Sequence, residues 1–285
     1  YVERFQQENQ CEMWVQTTSH MAELLAPNYP TIHFVTHSVK NSKKNSKKNK
    51  FCQQGLPKDI YATYYIGIFP FNDRTHQVQN FRIAPMQQVA ATILGLTNVG
   101  ELKPHLSPSS NSKRLIKEPY VCIGMNASGL FKCWHHPQGW KKTVEFLHKL
   151  GYRVLCIDKQ PPRQRNMKGW QEPDCEYFCG NIPLQERVNL LAHAEFFIGL
   201  PSGLSWLAWG TGIPVVMIGG FSYPWHEFAT PYRIISYHGC VGCWNDPKVP
   251  LKRCHQKGDA KYQCSKFITP GKVLRTIFPL ILKKK

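Results

Sequence analysis

Acidic residues are scarce in this chain. Only 18 Asp and Glu stand against 36 Lys and Arg in 285 residues, a formal charge of +18. Such an excess suits partners that carry negative charge and speaks against an acidic, self-solvating sequence. Long apolar runs are missing too: no stretch reaches the ~18 consecutive apolar residues that a membrane-spanning helix needs. Residues Tyr1 to Asn9 hold no apolar core of the kind a secretory leader requires. Without a leader the expected compartment is the reducing cytoplasm, where a disulfide framework is the poorer account of the cysteines. The motifs G-x-S-x-G, G-x-x-x-x-G-K-[ST] and H-E-x-x-H are absent as well, which removes the sequence grounds for a serine hydrolase, a P-loop NTPase or a zincin. The chain opens on Tyr1 without an initiating Met and reads as an excised or processed piece.

What is present argues for a folded protein. Eight Trp, 12 Tyr and 15 Phe, within a 42% hydrophobic composition, exclude disorder over the whole length and supply a core for one large domain or two moderate ones. The positive charge is unevenly spread. Six lysines fall in the tract Lys40–Lys50, which contains NSKK twice, and three more form Lys283–Lys285; without these, 27 basic residues remain against 18 acidic. A Lys/Asn/Ser tract cannot bury apolar surface and is expected to be a solvated insert. The remaining excess suits an anionic substrate such as a nucleotide diphosphate. Binding of nucleic acid or acidic lipid is the weaker reading.

Hydrophobic periodicity alternates between strand and helix for much of the chain. In the first part the pattern predicts a helix over Tyr1–Gln10 and a strand over Cys11–Gln16. A helix capped by Ser19 should run through Leu25, followed by strands at Ile32–Val35 and Ile60–Phe69. Pro85 then opens a helix that stops at Gly95. Residues 103–119, with three prolines, four serines and no apolar period, have the composition of a linker. Beyond it, strands are predicted at Tyr120–Met125, Tyr152–Ile157, Glu195–Gly199, Pro214–Ile218 and Tyr232–Ile235. Helices are predicted from Pro137 to Leu150, at Pro183–Ala194 and Ser202–Trp209, and from Pro270 to about Leu282. That alternation predicts an α/β protein of two doubly wound, Rossmann-like units enclosing a cleft, the first without its opening strand and helix. The expected division is a partial first unit over 1–102 carrying the insert 40–50, a linker at 103–119 and a second doubly wound unit at 120–237. A cysteine finger at 238–266 and a final helix with basic tail at 267–285 complete it.

Four features carry chemistry. Cys240 and Cys243 form a C-x-x-C knuckle, with Cys254 and Cys264 beyond it. Two thiolates at this spacing reach one metal from a single turn, and four of them select zinc or iron in a closed, structural site. His238 and His255 could each replace one ligand, and four packed free thiols are the plain alternative. Second, Leu200-Pro-Ser-Gly-Leu-Ser205 lies between a strand and a helix. Ser202 and Gly203, at the helix N-terminus with its free N–H groups, make an anion site suited to phosphate. An ordinary capped turn packing Trp206 and Trp209 would look the same. Third, Asn126-Ala-Ser-Gly-Leu-Phe-Lys132 follows the first strand of the second unit, and its lysine can neutralise a phosphate. Both loops would open at the carboxyl edge where open sheets bind ligands. Fourth, Glu227 could accept hydroxyls of a sugar or ribose. The trio Cys133, His135 and His136 fits no standard metal spacing.

Taken together, PLQERV (Pro183–Val188), SGLSWLAWG (Ser202–Gly210), FATPYR (Phe228–Arg233) and CVGCWNDP (Cys240–Pro247) resemble the bacterial autotransporter heptosyltransferases, over nearly the whole chain except the Lys-rich insert. The resemblance implies a GT-B fold and inverting, divalent-metal-independent transfer of heptose from ADP-heptose to serine hydroxyls of an autotransporter adhesin passenger. It also implies ring-like homo-oligomers and a finger that holds iron, with zinc as the alternative. By this resemblance Cys240, Cys243, Cys254 and Cys264 are the iron ligands and Lys132 is the diphosphate contact, with Asn126 and Ser128 in its loop. Ser202, Gly203, Leu204 and Ser205 form the phosphate-cradling turn, and Glu227 is a further substrate contact. Two departures stand out. The family's catalytic aspartate lies in a Gly-Asp motif leading into the YVERFQ-like segment, and this chain starts at that segment. The gap between Cys243 and Cys254 is also shorter than the family pattern. On this reading the 285 residues alone should bind donor weakly and transfer poorly. A truncated assembly remnant and a basic nucleic-acid-binding module are the rival readings.

Overall fold

The computed structural model describes residues 1–36, 55–67, 81–250 and 253–282. The Lys-rich tract, Phe69 and Pro70, and the terminal lysines fall outside them. The chain divides into two compact units. The first holds residues 1–36, 55–67, 87–102 and 183–185, and the second residues 81–86, 103–182, 186–250 and 253–282.

The smaller unit starts with helix α1 (Val2–Asn9), strand β1 (Met13–Thr17), helix α2 (Ser19–Leu25) and strand β2 (Ile32–Thr36); helix α3 (Met86–Ile93) follows. Strands β1 and β2 pair in parallel, Met13 opposite Ile32 through Thr17 opposite Thr36. The intervening helix makes the crossover that a parallel pair requires. Ala91, Leu94 and Leu96 bury against Tyr1, Val2, Phe5 and Val99, and the Tyr1 hydroxyl donates to Gly100 O at 2.7 Å. Gly95 ends α3 in the left-handed conformation, φ 69°, as its place after the last apolar residue predicts. The strand expected at Ile60–Phe69 does not form over its described part. Residues 60–67 hold no strand, and Tyr61, Tyr64 and Ile66 are exposed. Aromatic content alone raised that expectation, with neither alternation nor a partner strand behind it.

The larger unit is built on strands β3 (Tyr120–Ile123), β4 (Arg153–Cys156), β5 (Glu176–Tyr177), β6 (Phe197–Gly199), β7 (Val215–Ile218) and β8 (Arg233–Ile234). Its helices are α4 (Gly139–Lys149), α5 (Leu184–Leu191), α6 (Gly203–Gly210), α7 (Gln263–Lys266) and α8 (Pro270–Leu282). All six strands are parallel in the order β5-β4-β3-β6-β7-β8. Every residue of β3 and β7 is buried, which is why these strands read as unbroken apolar runs and not as alternations. One face of the sheet, with Val121, Ile123, Val154 and Ile198, packs on Trp140, Val144 and Leu147 of α4 and on Val273, Ile277 and Ile281 of α8. The i, i+4 spacing of those α8 residues gives the helix a single apolar stripe. Two-residue β5 escaped the sequence reading because it is too short to show a period. Residues 103–119 contain no helix or strand, but they do not float. Leu106 and Ile116 are buried, Leu106 N–H donates to Gly210 O at 3.0 Å, and Ser109 N–H donates to Asn189 Oδ1 at 2.9 Å. The segment is a strap laid on the second unit. Among the described residues no helix is long and apolar enough to cross a membrane.

Candidate functional site

The strand order places a topological switch between β3 and β6: the chain winds outward one way through β4 and β5, then returns to β6 and winds the other way. In such sheets the carboxyl ends of the two central strands part, and the crevice there receives ligands. The loops after β3, β6 and β7 meet at this edge. A Cβ on Gly124 would stand 3.3 Å from Leu204 Cδ1, and one on Gly219 would stand 3.0 Å from Pro201. The turn Leu200–Ser205 therefore lies beside the end of β3 and the start of the loop after β7.

The side chains in these loops have unequal freedom. Lys132 is largely buried, and burial lowers the pKa of its amine, with Glu227 opposing the shift. Its Nζ stands 5.2 Å from the Phe221 ring and 5.5 Å from the Trp244 ring. Among the described residues no oxygen takes a hydrogen bond from it. A cation held by aromatic faces, with its three donors unspent, is ready for an anion. Asn126 is fully used: Nδ2 donates to Gln160 O and Pro161 O, and Oδ1 accepts Arg163 N–H at 2.9 Å. Its work is to tie two loops together. Ser128 is exposed, and its carbonyl accepts Arg163 Nη1 at 3.4 Å.

At the start of α6, Ser202 stands at the cap position in extended conformation, but its hydroxyl makes no cap bond. That oxygen is buried without a partner, so the N-terminal N–H groups of α6 are not satisfied by it. Gly203 faces open space, with nothing within 4 Å of a Cβ built on it. The half-buried Leu204 packs beside Gly124. Ser205 is turned inward, its hydroxyl donating to Leu200 O at 2.6 Å. The turn therefore offers backbone donors and room, while its two serine hydroxyls look inward.

Glu227 differs from the expectation. It is buried, accepts Ser222 Oγ–H at 2.5 Å, and forms an ion pair with buried Arg233 at 2.9 Å. Arg233 Nη2 also donates to Ser222 O at 3.1 Å. Each oxygen of the carboxylate has a protein partner, Ser222 on one and Arg233 on the other, so Glu227 braces the turn after β7. Next to it His226 is buried, and burial holds its pKa below the ordinary histidine range. The neutral ring donates from Nδ1 to Ala84 O at 3.1 Å and accepts the Trp244 indole N–H at 2.6 Å on Nε2.

The cysteine finger leans on the same turn. Gly242 takes φ 72°, and a Cβ there would come within 2.3 Å of the Tyr223 ring, so only glycine fits the knuckle. Gly242 N–H donates to Gly220 O and Trp244 N–H to Phe221 O, at 2.8 and 2.9 Å. Cys254 Sγ accepts Tyr262 N–H at 3.3 Å, and Cys264 is buried on α7. Burial pushes the Cys243 thiol up to about 11, with Cys240 and Cys254 adding to the shift. Cys264 is raised further by burial and by the same neighbours. Cys243 and Cys264 thus feel the neighbouring finger cysteines, and all four are free thiols. Among the described residues, however, no three His, Cys, Asp or Glu side chains stand in a metal-holding arrangement. In kind the donor set fits a soft cation: four thiols, Cys264 buried and the other three partly so, with backbone N–H support at Cys254. A bound cation would relieve the penalty on ionising them. His238 and His255 are exposed, and His255 Nε2 faces Gln256 Nε2. His135 is buried, stacked on Tyr262 at 3.8 Å, with Nδ1 between Cys133 O and Ser265 Oγ.

Residues 70–248 match the model of glycosyltransferase family 9 (heptosyltransferase). TibC, an autotransporter heptosyltransferase of Escherichia coli O78:H11, is 38% identical over 286 residues, covering 96% of this chain and 65% of TibC. Aah, an autotransporter heptosyltransferase of Escherichia coli, is 39% identical, covering 97% of this chain and 68% of Aah. The chain belongs to the autotransporter heptosyltransferases of glycosyltransferase family 9. The crystal structure of TibC, an iron-containing dodecameric glycosyltransferase, superposes with a TM-score of 0.84, covering 99% of this chain and 71% of that one. TibC in complex with ADP-D-beta-D-heptose superposes with a TM-score of 0.81, covering 99% of this chain and 72% of that one. BimC of Burkholderia thailandensis, an inactive autotransporter heptosyltransferase, is 32% identical over 97% of this chain and 63% of its own length. The chain spans about two thirds of the length of these curated relatives.

Several residues that shape these loops were not singled out from sequence. Asp158, after β4, accepts Met125 N–H at 2.6 Å and Asn126 N–H at 3.1 Å on one oxygen, fixing the path of the loop that leaves β3. An acid directly after a buried apolar strand was the available signal. Arg82 donates to the carbonyls of Cys243, Trp244 and Pro247, partners more than 160 residues away that no local pattern reveals. Burial pushes Asp158 up from 3.8 to about 6 against the opposing pull of those amides. The folded state then keeps the proton that the unfolded chain has already lost, so folding stability is expected to fall as pH rises from about 4 to about 6. The predicted loss is on the order of 2–3 kcal/mol. Denaturant titrations across that range should show the slope, and Asp158→Asn should flatten it.

Proposed function

We propose that this chain is the donor-binding portion of a protein O-heptosyltransferase, moving heptose from ADP-heptose to serine hydroxyls of an autotransporter adhesin. One observation carries the reading: an unspent lysine amine and an unspent helix N-terminus stand on the loops that leave neighbouring strands at the switch point of a parallel sheet. Sugar transfer from a nucleotide diphosphate puts growing negative charge on the departing ADP. Lys132 and the N–H groups of α6 answer that charge with donors already fixed in place, so no divalent metal is needed for the task. Attack by the acceptor hydroxyl opposite the departing ADP inverts the anomeric carbon. Neither buried carboxylate of the crevice is free to take the hydroxyl proton, because Asp158 holds backbone amides and Glu227 holds Arg233. The base therefore comes from outside this set.

Cys240, Cys243, Cys254 and Cys264 are the proposed iron ligands, with zinc as the competitor for four sulfurs. Held by these four thiolates, the metal would have a structural role and offer no open coordination position. The homo-oligomer and the autotransporter acceptor rest on the likeness to dodecameric TibC, and the reducing, cytoplasmic setting rests on the cysteine usage. Isothermal titration of the purified chain with ADP, beside metal analysis, tests the proposal. Binding of ADP with about one iron per chain is the expected result, and absence of ADP binding by the folded chain would overturn it. The likeness to inactive BimC favours one rival, an assembly subunit without turnover. Release of heptose onto an adhesin fragment decides between the two.

A further inference from the structure

We propose that Trp244 is a positioning residue for Lys132, and that through it the cysteine finger sets the strength of the anion site. This rests on the reading of Lys132 as the diphosphate contact. A lysine has four rotatable bonds, and the Lys132 amine finds no oxygen to anchor it among the described residues. Two ring faces locate it instead, Phe221 at 5.2 Å and Trp244 at 5.5 Å. The two rings also touch each other, with centroids 5.5 Å apart.

Trp244, in the single 3-10 turn Cys243–Asn245, is held on several sides. Its N–H donates to Phe221 O at 2.9 Å, and its carbonyl accepts Arg82 Nε. Its indole N–H donates to His226 Nε2 at 2.6 Å. The Arg82 guanidinium lies 6.0 Å from its ring and Phe81 lies 5.9 Å away. Trp244 directly follows Cys243, and Arg82 Nη2 takes the Cys243 carbonyl at 2.9 Å. The fold of the knuckle and the position of the ring are thus one arrangement. A finger that closes on its thiols fixes the ring, and the ring fixes the amine. A finger that opens frees both.

Calorimetry on the full chain tests this with ADP and adenosine as probes, in the wild type, Trp244→Phe, Trp244→Leu, Lys132→Ala and the Trp244→Leu/Lys132→Ala pair. Trp244→Leu is expected to weaken ADP about 5- to 30-fold, the range of a desolvated cation–π contact. Adenosine affinity should stay within about twofold, since the lysine acts on phosphate. Trp244→Phe, which keeps a ring face, should retain most of the ADP affinity. The double variant should be no weaker than Lys132→Ala, because the tryptophan acts through the lysine. Additive losses, or equal weakening of adenosine, would overturn the inference. Should the leucine variant not fold, Trp244→Met keeps bulk without a ring and serves the same comparison. If the wild type binds ADP no more tightly than adenosine, the diphosphate reading fails on its own.

Discussion

Lys132→Ala is expected to weaken ADP binding by about 10- to 100-fold, the worth of one charge-assisted hydrogen bond in a partly desolvated site. The argument rests on what surrounds the amine. Burial works against its charge, Glu227 supports it only at a distance, and no carboxylate is close enough to satisfy it, since Glu227 is spent on Arg233. A bound diphosphate supplies the missing counter-charge, and α6 supplies backbone donors beside it. Removing the amine leaves the helix N-terminus alone, so weak binding should remain and its dependence on salt should flatten. Titration at two ionic strengths reads both quantities. An unchanged affinity would remove Lys132 from the site, whatever the fate of the sheet-edge argument.

Glu227→Ala is expected to cost about 3–5 kcal/mol of folding stability, because it strands a buried guanidinium without its counter-ion. The two side chains are only 4% and 8% exposed, so water cannot stand in for the lost partner. Nor can Ser222, whose hydroxyl and carbonyl already serve the pair. Thermal unfolding should drop by on the order of 10 °C. Glu227→Ala combined with Arg233→Met should recover part of that loss, since a neutral pair no longer buries an orphan charge. A fall in ADP affinity without a fall in stability would reverse the assignment and return Glu227 to direct substrate contact.

Where continuous stretches carried the signal, the sequence was informative. Unbroken apolar runs such as YVCI and VVMI announced buried parallel strands, and Gly95 and Gly151 marked helix ends, where both adopt positive φ. The crevice loops after β3 and β6 followed from alternation alone, because a doubly wound sheet leaves few places for a ligand. Side-chain commitments were not legible. WHEFATPYR shows a glutamate six residues before an arginine, yet only the turn after β7 brings them into contact as a buried ion pair. Ser202 looked like a helix cap and instead keeps its hydroxyl buried beside unsatisfied backbone donors. Arg82 and Trp244 meet across a sequence gap that no short motif bridges.

The strand order also has a bearing on biosynthesis. β3 lies at the middle of the six-stranded sheet, and its two neighbours, β4 and β6, both come later in the chain. At ordinary translation speed, the interval of about 75 residues between Ile123 and Phe197 takes ~4–15 s to emerge. Throughout that time the inner edge of the nascent sheet is an unpaired, fully apolar ribbon, the kind of surface that chaperones cover and that neighbouring ribosomes can bring into collision. The step that closes this edge is also the one that creates the crevice at the switch point, so a chain stalled before Gly199 would be both aggregation-prone and without that crevice.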